Sequence, residues 1–367
     1  MAIDRRSFVI GGGLAALAPR LGSAEPCRGS LFVAACREPS GSYAAVAYGE
    51  GCGLGHRVAL PGRGHDLVQR PGTSECVVFA RRPGTFAVTF RTDGPAAPLE
   101  FRTRADRHFY GHGAFSPDGR LLYTSENDFD AARGVIGVRD ATAGYAQIGE
   151  FDSGGLEPHD ICLLSDGRML VVANGGIETH PSSDRETLNI ADMDPSLSYI
   201  DVRTGYVLEV HRLPPSLHKL SIRHLALASD GTAFLGCQYE GPAGEHPALV
   251  GFHRRGESLR LIEAHDQTYR AMQNYVGSLS ADASGEFIAA TSPRGGLALI
   301  IDAGSRRIIS QTKLADVCGV APRHVGASFL LASGSGDVGS WSRTVSAAAL
   351  LTTHENVAWD NHMIRLG

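Results

Sequence analysis

The chain has 367 residues, a formal net charge of -5 at pH 7 and 45 glycines, and 43% of its residues are hydrophobic. This length is enough for one large repeat-built domain or two ordinary ones. Lysine and arginine occur only singly or in short pairs, which argues against the continuous basic surface of a nucleic-acid-binding protein.

The first residues have the pattern of an export signal. Arg5 and Arg6 precede an apolar stretch rich in Gly and Ala, which predicts a twin-arginine signal peptide over residues 1–24 and export of an already folded protein to the periplasm. An ordinary N-terminal helix is the alternative, but three consecutive glycines would weaken it. No later stretch approaches the ~20 apolar residues of a membrane span, so residues 25–367 are expected to form one soluble domain.

Seven cysteines follow the predicted cleavage site, at positions 27, 36, 52, 76, 162, 237 and 318. No CxxC pair occurs among them, which disfavours a covalent c-type haem and a four-cysteine zinc site. The cysteines at 76, 162 and 237 lie in apolar strands and are predicted to be buried thiols. The first three could supply one disulfide bond in an oxidising compartment.

Short β-rich runs bounded by Gly, Pro, Asp and Ser fill the rest of the chain, and no helical periodicity exceeds two turns. Equivalent positions recur at intervals of about 42 to 65 residues, a length typical of four-stranded propeller blades. A histidine occupies five of these positions, and Val276 and Cys318 occupy the other two. Six such units fill residues 65–352. Residues 31–60 supply three strands of a seventh, and the C-terminal strand supplies its fourth. This pairing would close the ring and remove the open sheet edge, so the sequence predicts an all-β, seven-bladed β-propeller.

Several segments resemble a known family. They are "TSENDFDAARGVIGVRD" at 124–140, "EPHDICLLSDG" at 157–167, "ANGGIETHP" at 173–181, "LNIADMDPSLSYID" at 188–201 and "NYVGSLSAD" at 274–282. They are similar to the bacterial propellers called domain of unknown function 1513, which are related in kind to WD40, YVTN and quinoprotein amine dehydrogenase β-chain propellers. The resemblance implies a periplasmic protein of iron acquisition, with imelysin-like and dihaem-peroxidase-like proteins as partners, and it carries no established reaction.

Five histidines stand at the start of predicted channel strands: His65, His112, His159, His224 and His362. In a propeller these positions surround one end of the central channel. Imidazoles there are candidate ligands for a transition metal, iron or copper, or axial ligands for haem. Asp follows two of them and could orient the imidazole beside it; if the Asp-Gly turn sets the register, Asp160 takes the place of His159. The alternative is that the histidines only hydrogen-bond at the strand ends.

The loops that follow the second strand of each blade should lie at the same end of the channel. On this basis a role in cofactor binding is predicted for Glu126, Asn174, His180, Gln238 and Arg294. The long insertion at residues 174–195 exceeds the length that a connector needs. It is predicted to be a lid or partner-docking loop over the channel, with a solvated surface excursion as the alternative.

Three functions fit these residues. The first is a non-enzymatic periplasmic propeller that binds metal, haem or a partner protein in iron acquisition. The second is an enzyme, either a metal-dependent oxidoreductase or a lactonase-like hydrolase, although no catalytic residue can be named. The third is an interaction scaffold with structural histidines. Substrate, metal identity and oligomeric state are not determined by the sequence.

Overall fold

The computed structural model describes residues 31–50, 53–94, 96–183 and 186–367. They form seven four-stranded antiparallel sheets, so the predicted seven-bladed β-propeller is confirmed. The predicted signal peptide, residues 1–24, lies outside the described residues, as do Cys27 and Cys52. Within the described ranges, no helix has the length and apolarity needed to cross a membrane.

The blades follow one another along the chain. In blades 2 to 7 the first strand lines the channel and the next three lie successively further out, whereas the channel strand of blade 1 is the C-terminal strand. Blade 1 contains β1 (Leu31–Arg37), β2 (Tyr43–Gly49) and β3 (Leu54–Leu60). Blade 2 contains β4 (Gly64–Gln69), β5 (Glu75–Ala80), β6 (Phe86–Arg91) and β7 (Leu99–Arg102). Blade 3 contains β8 (Arg107–Phe115), β9 (Leu121–Asp128), β10 (Arg133–Asp140) and β11 (Ala146–Asp152). Blade 4 contains β12 (Pro158–Leu163), β13 (Met169–Asn174), β14 (Ser196–Asp201) and β15 (Tyr206–Arg212).

The second half of the chain repeats the pattern. Blade 5 contains β16 (Leu220–Leu227), β17 (Ala233–Tyr239), β18 (Val250–His253) and β19 (Arg260–Leu261). Blade 6 contains β20 (Ser278–Ala281), β21 (Phe287–Ser292), β22 (Leu297–Asp302) and β23 (Arg307–Lys313). Blade 7 contains β24 (Val317–Pro322), β25 (Ser328–Ser333), β26 (Asp337–Ser342) and β27 (Val345–Thr353), and the chain ends in β28 (Ala358–Arg365) of blade 1. The described helices are α1 (Asp266–Ala271) and short 3₁₀ turns at Pro181–Ser183, Ile190–Asp192 and Pro215–Leu217.

Ring closure joins the two ends of the described chain. Strand β28 pairs antiparallel with β1, with Phe32 opposite Arg365 and Arg37 opposite Ala358. The channel strand β28 also contacts the channel strands of blades 2 and 7. The ring therefore has no unpaired channel edge, as the sequence predicted.

The hydrophobic core is a ring of clusters between neighbouring blades. Strand β5 shows the arrangement, because Val77 and Phe79 pack toward blade 3 whereas Cys76 and Val78 pack toward blade 1. A sheet that is covered on both faces needs apolar residues at successive positions. This requirement explains why the inner strands read as continuous apolar runs.

The described cysteines are free thiols: Cys36, Cys76, Cys162, Cys237 and Cys318. The thiols at 76 and 237 are buried as predicted, and the one at 162 is partly buried. Cys36 is buried, and burial raises the pKa of its thiol to about 12. A disulfide bond that includes Cys36, one of the pairings left open by the sequence, is therefore absent from this structure.

Glu126 forms a buried ion pair inside blade 3. Its Oε1 accepts a hydrogen bond from Arg139 Nη2 at 2.9 Å and another from the Thr124 hydroxyl at 2.6 Å. The side chains of Glu126 and Arg139 are 0% and 2% exposed. The guanidinium also lies over the rings of Phe101 and Phe109, 5.1 and 5.3 Å from their centroids, so the pair joins blade 3 to blade 2.

Replacement of Glu126 with Ala should lower the free energy of unfolding by about 3–5 kcal/mol, because it leaves the charge of Arg139 buried without its partner. The matched control is Glu100→Ala, which breaks a largely exposed pair with Arg102 and should change stability by less than about 1 kcal/mol. Urea denaturation measures the free energy of unfolding of each variant. Equal small losses would show that the buried pair does not stabilise the fold.

A chain that ends at Val357 lacks β28 and with it the buried side chains of Trp359 and Met363. We expect this truncated chain to form no cooperatively folded monomer at physiological temperature, because β1 and two neighbouring blades lose their partner. Removal of Gly367 alone is the control and should shift the melting temperature by less than about 2 °C. Circular dichroism and gel filtration would detect the difference, and a truncated chain that melts like the parent would contradict the expectation.

Candidate functional site

The five histidines predicted to surround the channel meet in one buried group, here called the histidine cluster. Its members are His65 on β4, His112 on β8, His159 on β12, His224 on β16 and His362 on β28. The ring centroids of contacting members lie 4.6 to 6.0 Å apart, and every member is buried. His159 itself takes the fifth place in the cluster, although the Asp-Gly register would have put Asp160 there.

An irregularity in strand pairing occurs at or beside each of these histidines. The register between the channel strand and its neighbour shifts at this point in blades 1 to 5. In blade 4, Pro158 pairs with Asn174 and Asp160 pairs with Ala173, which leaves His159 outside the ladder. A bulge bends the strand and redirects a side chain, and bulges are frequent next to functional sites. Local backbone geometry thus turns the imidazoles toward one another.

The two blades without a channel histidine place other groups nearby. The Oγ of Ser278 in blade 6 lies 3.1 Å from His362 Nδ1. The thiol of Cys318 in blade 7 donates to the backbone carbonyls of Ala332 and Asp360 at 3.4 and 3.3 Å. Burial raises the pKa of Cys318. This cysteine hydrogen-bonds to the backbone and belongs to neither set of three histidines described below.

His112 lies between two carboxylates. Its Nδ1 is 3.0 Å from Asp66 Oδ2 and 3.3 Å from Asp160 Oδ1. Burial opposes protonation of the ring, but the carboxylates of Asp160 and Asp66 outweigh it and raise the pKa of His112 to about 10. Each aspartate follows a histidine in the sequence, and the sequence suggested that it would orient that preceding histidine. Instead, both aspartates contact His112, on the blade between them.

The other four imidazoles are neutral at neutral pH. Burial lowers the pKa of His65, His159 and His224 well below the ordinary value, and it lowers that of His362 to about 4. The Nδ1 of His159 accepts a hydrogen bond from Arg223 Nη2 at 3.1 Å. The neutral ring is the form in which histidine binds metal ions.

Three ring nitrogens of the cluster have no hydrogen-bond partner among the described residues: Nε2 of His112, Nδ1 of His224 and Nε2 of His362. Buried polar atoms are normally paired, and each unpaired one costs about 1–3 kcal/mol. A ligand bound to a ring nitrogen would remove this cost at that atom.

Two overlapping sets of three histidines have ligand atoms within 4.8 Å of one another. One set is His65, His112 and His362, and the other is His112, His159 and His224. Bonds of ~2.1 Å to one tetrahedral ion place ligand nitrogens ~3.4 Å apart. Small rotations of the side chains would supply this closure, and His112 is common to both sets.

A small recess adjoins the cluster and is here called the arginine recess. Its free volume is about 10 Å³, room for about one water molecule. It is lined by His65, Arg81, Arg82, Tyr110, His159, Arg223 and Tyr275. The Arg-Arg pair that follows β5 occupies the same place in blade 2 as the predicted cofactor loops do in other blades, so its position after a second strand was the signal that could have identified it.

Two carboxylates contact the arginines of the recess. Glu157 Oε1 lies 3.1 Å from Arg82 Nη1 and 3.3 Å from Arg223 Nη2. Asp360 Oδ1 accepts from Arg81 Nη1 at 3.2 Å. Burial lowers the pKa of Arg82, and the neighbouring Arg223 acts in the same direction. The recess is therefore a strongly charged and poorly solvated environment.

Arg294 contacts a tyrosine that lines the arginine recess. Its guanidinium lies over the ring of Tyr275, 4.7 Å from the centroid. Gln238 forms an isolated backbone bridge with the same tyrosine. These two residues therefore border the recess, and their part in cofactor binding stays a prediction.

The remaining predicted cofactor residues have other partners. Asn174 is buried in blade 4, where its Nδ2 donates to the Ser198 hydroxyl at 2.7 Å. His180 is about one-third exposed, and its Nε2 lies 3.3 Å from Asp130 Oδ1. Glu126 belongs to the ion pair described above. The contacts of these three residues stabilise the fold, and their cofactor role stays untested.

The insertion at residues 174–195 has a fixed shape where it is described. Asn189 ties it together, since its Oδ1 accepts from the Glu178 backbone N–H at 2.7 Å and its Nδ2 donates to the Gly176 carbonyl at 2.9 Å. The Thr179 carbonyl accepts from Asn127 Nδ2 in blade 3 at 3.2 Å. The insertion thus packs beside the channel end of blade 3, and its action as a lid stays a prediction.

Comparison with solved structures finds other propeller-like chains. Hydrazine synthase of Kuenenia stuttgartiensis is similar with a TM-score of 0.61 and 14% identity, covering 84% of this chain and 94% of that one. A functionally unknown protein from Desulfotomaculum acetoxidans DSM 771 has a TM-score of 0.60 and 9% identity, covering 91% of this chain and 99% of the other. At such identities the likeness concerns the fold alone.

Comparison of sequences identifies a family as well as a fold. No curated protein matches the chain. A family model described as "Protein of unknown function (DUF1513)" matches residues 58–366, a range that includes the whole histidine cluster. The chain therefore belongs to the DUF1513 family.

Proposed function

We propose that this propeller binds one transition-metal ion in the histidine cluster and acts as a metal-handling protein. The observation that carries the proposal is the convergence of five buried imidazoles from five blades. Imidazole nitrogens suit iron, copper or zinc, whereas calcium and magnesium prefer oxygen ligands. Four of the rings are in the neutral form that such an ion requires.

The unpaired nitrogens argue against a purely structural role for the histidines. Nδ1 of His112 and Nδ1 of His362 contact groups of other blades, as histidines with a structural role would. The second nitrogen of each of these rings, and Nδ1 of His224, nevertheless stay buried without a partner in the described chain. His112 belongs to both sets of three histidines, and its Nε2 is the nitrogen without a partner in the described chain, so an ion in either set would replace the proton there.

A bare ion fits the channel better than haem does. The rings are packed at 4.6 to 6.0 Å between centroids, and the adjoining recess has a volume of about 10 Å³. A porphyrin between these imidazoles would require the blades to separate. The geometry therefore favours metal over haem among the predicted cofactors.

A role in periplasmic iron acquisition, with imelysin-like and dihaem-peroxidase-like partners, rests on the family resemblance and forms part of this proposal. A buried ion beside a very small recess suits carriage or storage better than turnover of a large substrate. The oxidoreductase and lactonase-like alternatives require access to the ion. Redox and esterase assays of metal-loaded protein test them directly.

Metal-free protein incubated with Fe²⁺, Cu²⁺ or Zn²⁺ should retain about one ion per chain after gel filtration, as measured by mass spectrometry, because one cluster offers the ligands. Joint replacement of His112 and His224 with Ala removes ligands from both sets and should lower the metal content at least about tenfold. The control replaces His265 and His324, two exposed histidines outside the cluster, with Ala and should leave the metal content unchanged. A parent that retains no ion, or a cluster variant that retains as much as the parent, would refute the proposal.

Replacement of Asp66 with Asn should weaken metal binding by about 10-fold without unfolding the protein. The carboxylate that holds Nδ1 of a metal-binding histidine fixes the ring and raises its basicity, and loss of such a partner typically costs 10–100-fold in affinity. Asp93→Asn is the control, since Asp93 is an exposed carboxylate paired with Arg91. Competition with a chromophoric chelator measures both affinities, and equal values would exclude a role for Asp66 at the metal.

A further inference from the structure

The outermost strand of blade 7, β27, differs in composition from the outermost strands of the other blades. It has nine residues, and its sequence, VSAAALLTT, contains no charged side chain. Each of the other outermost strands contains at least one charged residue. Charged side chains on an edge strand keep it from associating with another chain. We propose that β27 packs antiparallel against β27 of a second copy of this chain, at the centre of a two-fold symmetric dimer interface.

Apolar side chains of β27 face solvent. Val345, Leu350 and Leu351 are 54%, 61% and 39% exposed, and Ala347 and Ala349 are exposed as well. No other outermost strand in the described ranges exposes more than two large apolar side chains. A continuous exposed apolar surface without charge is typical of a site of protein association.

A bulge explains why two adjacent leucines are exposed. Leu350 pairs with Gly339 and Thr352 pairs with Val338, so Leu351 is an extra residue in the ladder between β26 and β27. Side chains of a regular strand alternate between the two faces, and a bulge interrupts this alternation. Because a bulge also bends the strand, we assign the contact to packing of the exposed side chains and not to a continuous ladder of backbone hydrogen bonds.

The order of residues in β27 is complementary to itself. Ala349 is the middle residue, and a two-fold axis that passes beside it brings together positions at equal distances before and after 349. Leu351 then meets Ala347 of the second copy, and Leu350 meets Ala348. Large side chains therefore lie opposite small ones on both sides of the axis, which favours close packing.

The charged residues that flank β27 fit the same arrangement. Arg343 lies six positions before Ala349 and Glu355 lies six positions after it, and both are exposed. The axis therefore brings Arg343 of each copy to Glu355 of the other. The guanidinium of Arg343 also lies over the ring of Phe287, 5.2 Å from its centroid, which anchors it beside the strand. A parallel contact would instead bring like charges together, so the charges select the antiparallel one.

The inference does not depend on the proposed metal binding. Two strands separate β27 from the channel strand of blade 7, so the contact leaves the histidine cluster untouched. A chain that dimerises but retains no metal would refute the proposed function alone, and a metal-binding monomer would refute the dimer alone.

Sedimentation velocity of the full mature chain measures the association, with a chelator present so that no metal ion joins two chains. One strand from each copy buries a small area, so we expect a monomer–dimer equilibrium with a Kd of about 1–100 µM. A parent chain that stays monomeric at about 300 µM would overturn the proposal.

Replacement of Leu350 with Glu places two carboxylates beside the axis and should raise the Kd at least about 30-fold. Leu208→Glu is the matched control, because Leu208 is 51% exposed on β15, and it should leave the Kd unchanged. Circular dichroism checks that both variants are folded. A Leu350→Glu variant that dimerises like the parent would exclude β27 from the interface.

Charge reversal tests the register of the two strands. Arg343→Glu sets like charges against each other at both ends of the contact and should raise the Kd at least about threefold. Addition of Glu355→Arg restores opposite charges and should return the Kd to the parent value, which loss of the contact between Arg343 and Phe287 would not explain. A double variant that associates no better than Arg343→Glu would contradict the antiparallel arrangement.

Cross-linking locates the axis. The two copies of residue 349 meet at the axis, so Ala349→Cys should form an intermolecular disulfide bond under mild oxidation. The two copies of residue 353 lie about 26 Å apart in the same arrangement, at ~3.3 Å per residue, so Thr353→Cys should form none. The parent chain, oxidised in parallel, accounts for the native cysteines. A dimer in which Ala349→Cys does not cross-link, or in which Thr353→Cys cross-links equally fast, would overturn the proposed contact.

Discussion

The pairing of β28 with β1 is the interaction on which the rest of the structure depends. It completes blade 1 and closes the ring of interblade hydrophobic clusters. The same strand carries His362, whose ring lies 4.6 Å from that of His65 and 4.9 Å from that of His224. The strand that closes the ring therefore also supplies the fifth histidine of the cluster. Through it, residues near opposite ends of the described chain come into contact.

The propeller concentrates polar groups in a place where burial would normally be costly. Each channel strand presents side chains to a narrow axis, and the bulges in five blades direct imidazoles there. The charged groups at the channel end form two separate sets. Asp66 and Asp160 stabilise the protonated ring of His112, while Arg82 and Arg223 lie around Glu157.

The fold carries no information about which reaction or ligand is involved. Propellers with 14% and 9% identity share the ring of blades with this chain, and one architecture supports many functions. The functional inference therefore depends on the chemistry of the channel residues themselves. Five imidazoles and three unpaired ring nitrogens are the features that call for a ligand.

Much of the architecture and part of the site could be predicted from the sequence. The repeat of strand-forming runs is a local pattern, and continuous apolar runs arise wherever a sheet is covered on both faces. The histidine at the start of five of the seven repeats follows the same periodicity. These features are set by short stretches of chain, so the blade number, ring closure and the positions of the channel histidines were accessible without coordinates.

Only the tertiary structure decided which groups meet. Glu126 stands in a stretch that resembles a loop, but its backbone continues the ladder opposite Val135, and its carboxylate binds Arg139. Arg82 and Arg223 are far apart in the sequence and look like ordinary surface cations. They converge because the angle between blades and the bulge beside His224 bring a loop of blade 2 and a strand of blade 5 to the same recess. Distances across a ring depend on the packing of all its blades, and no local sequence pattern encodes them.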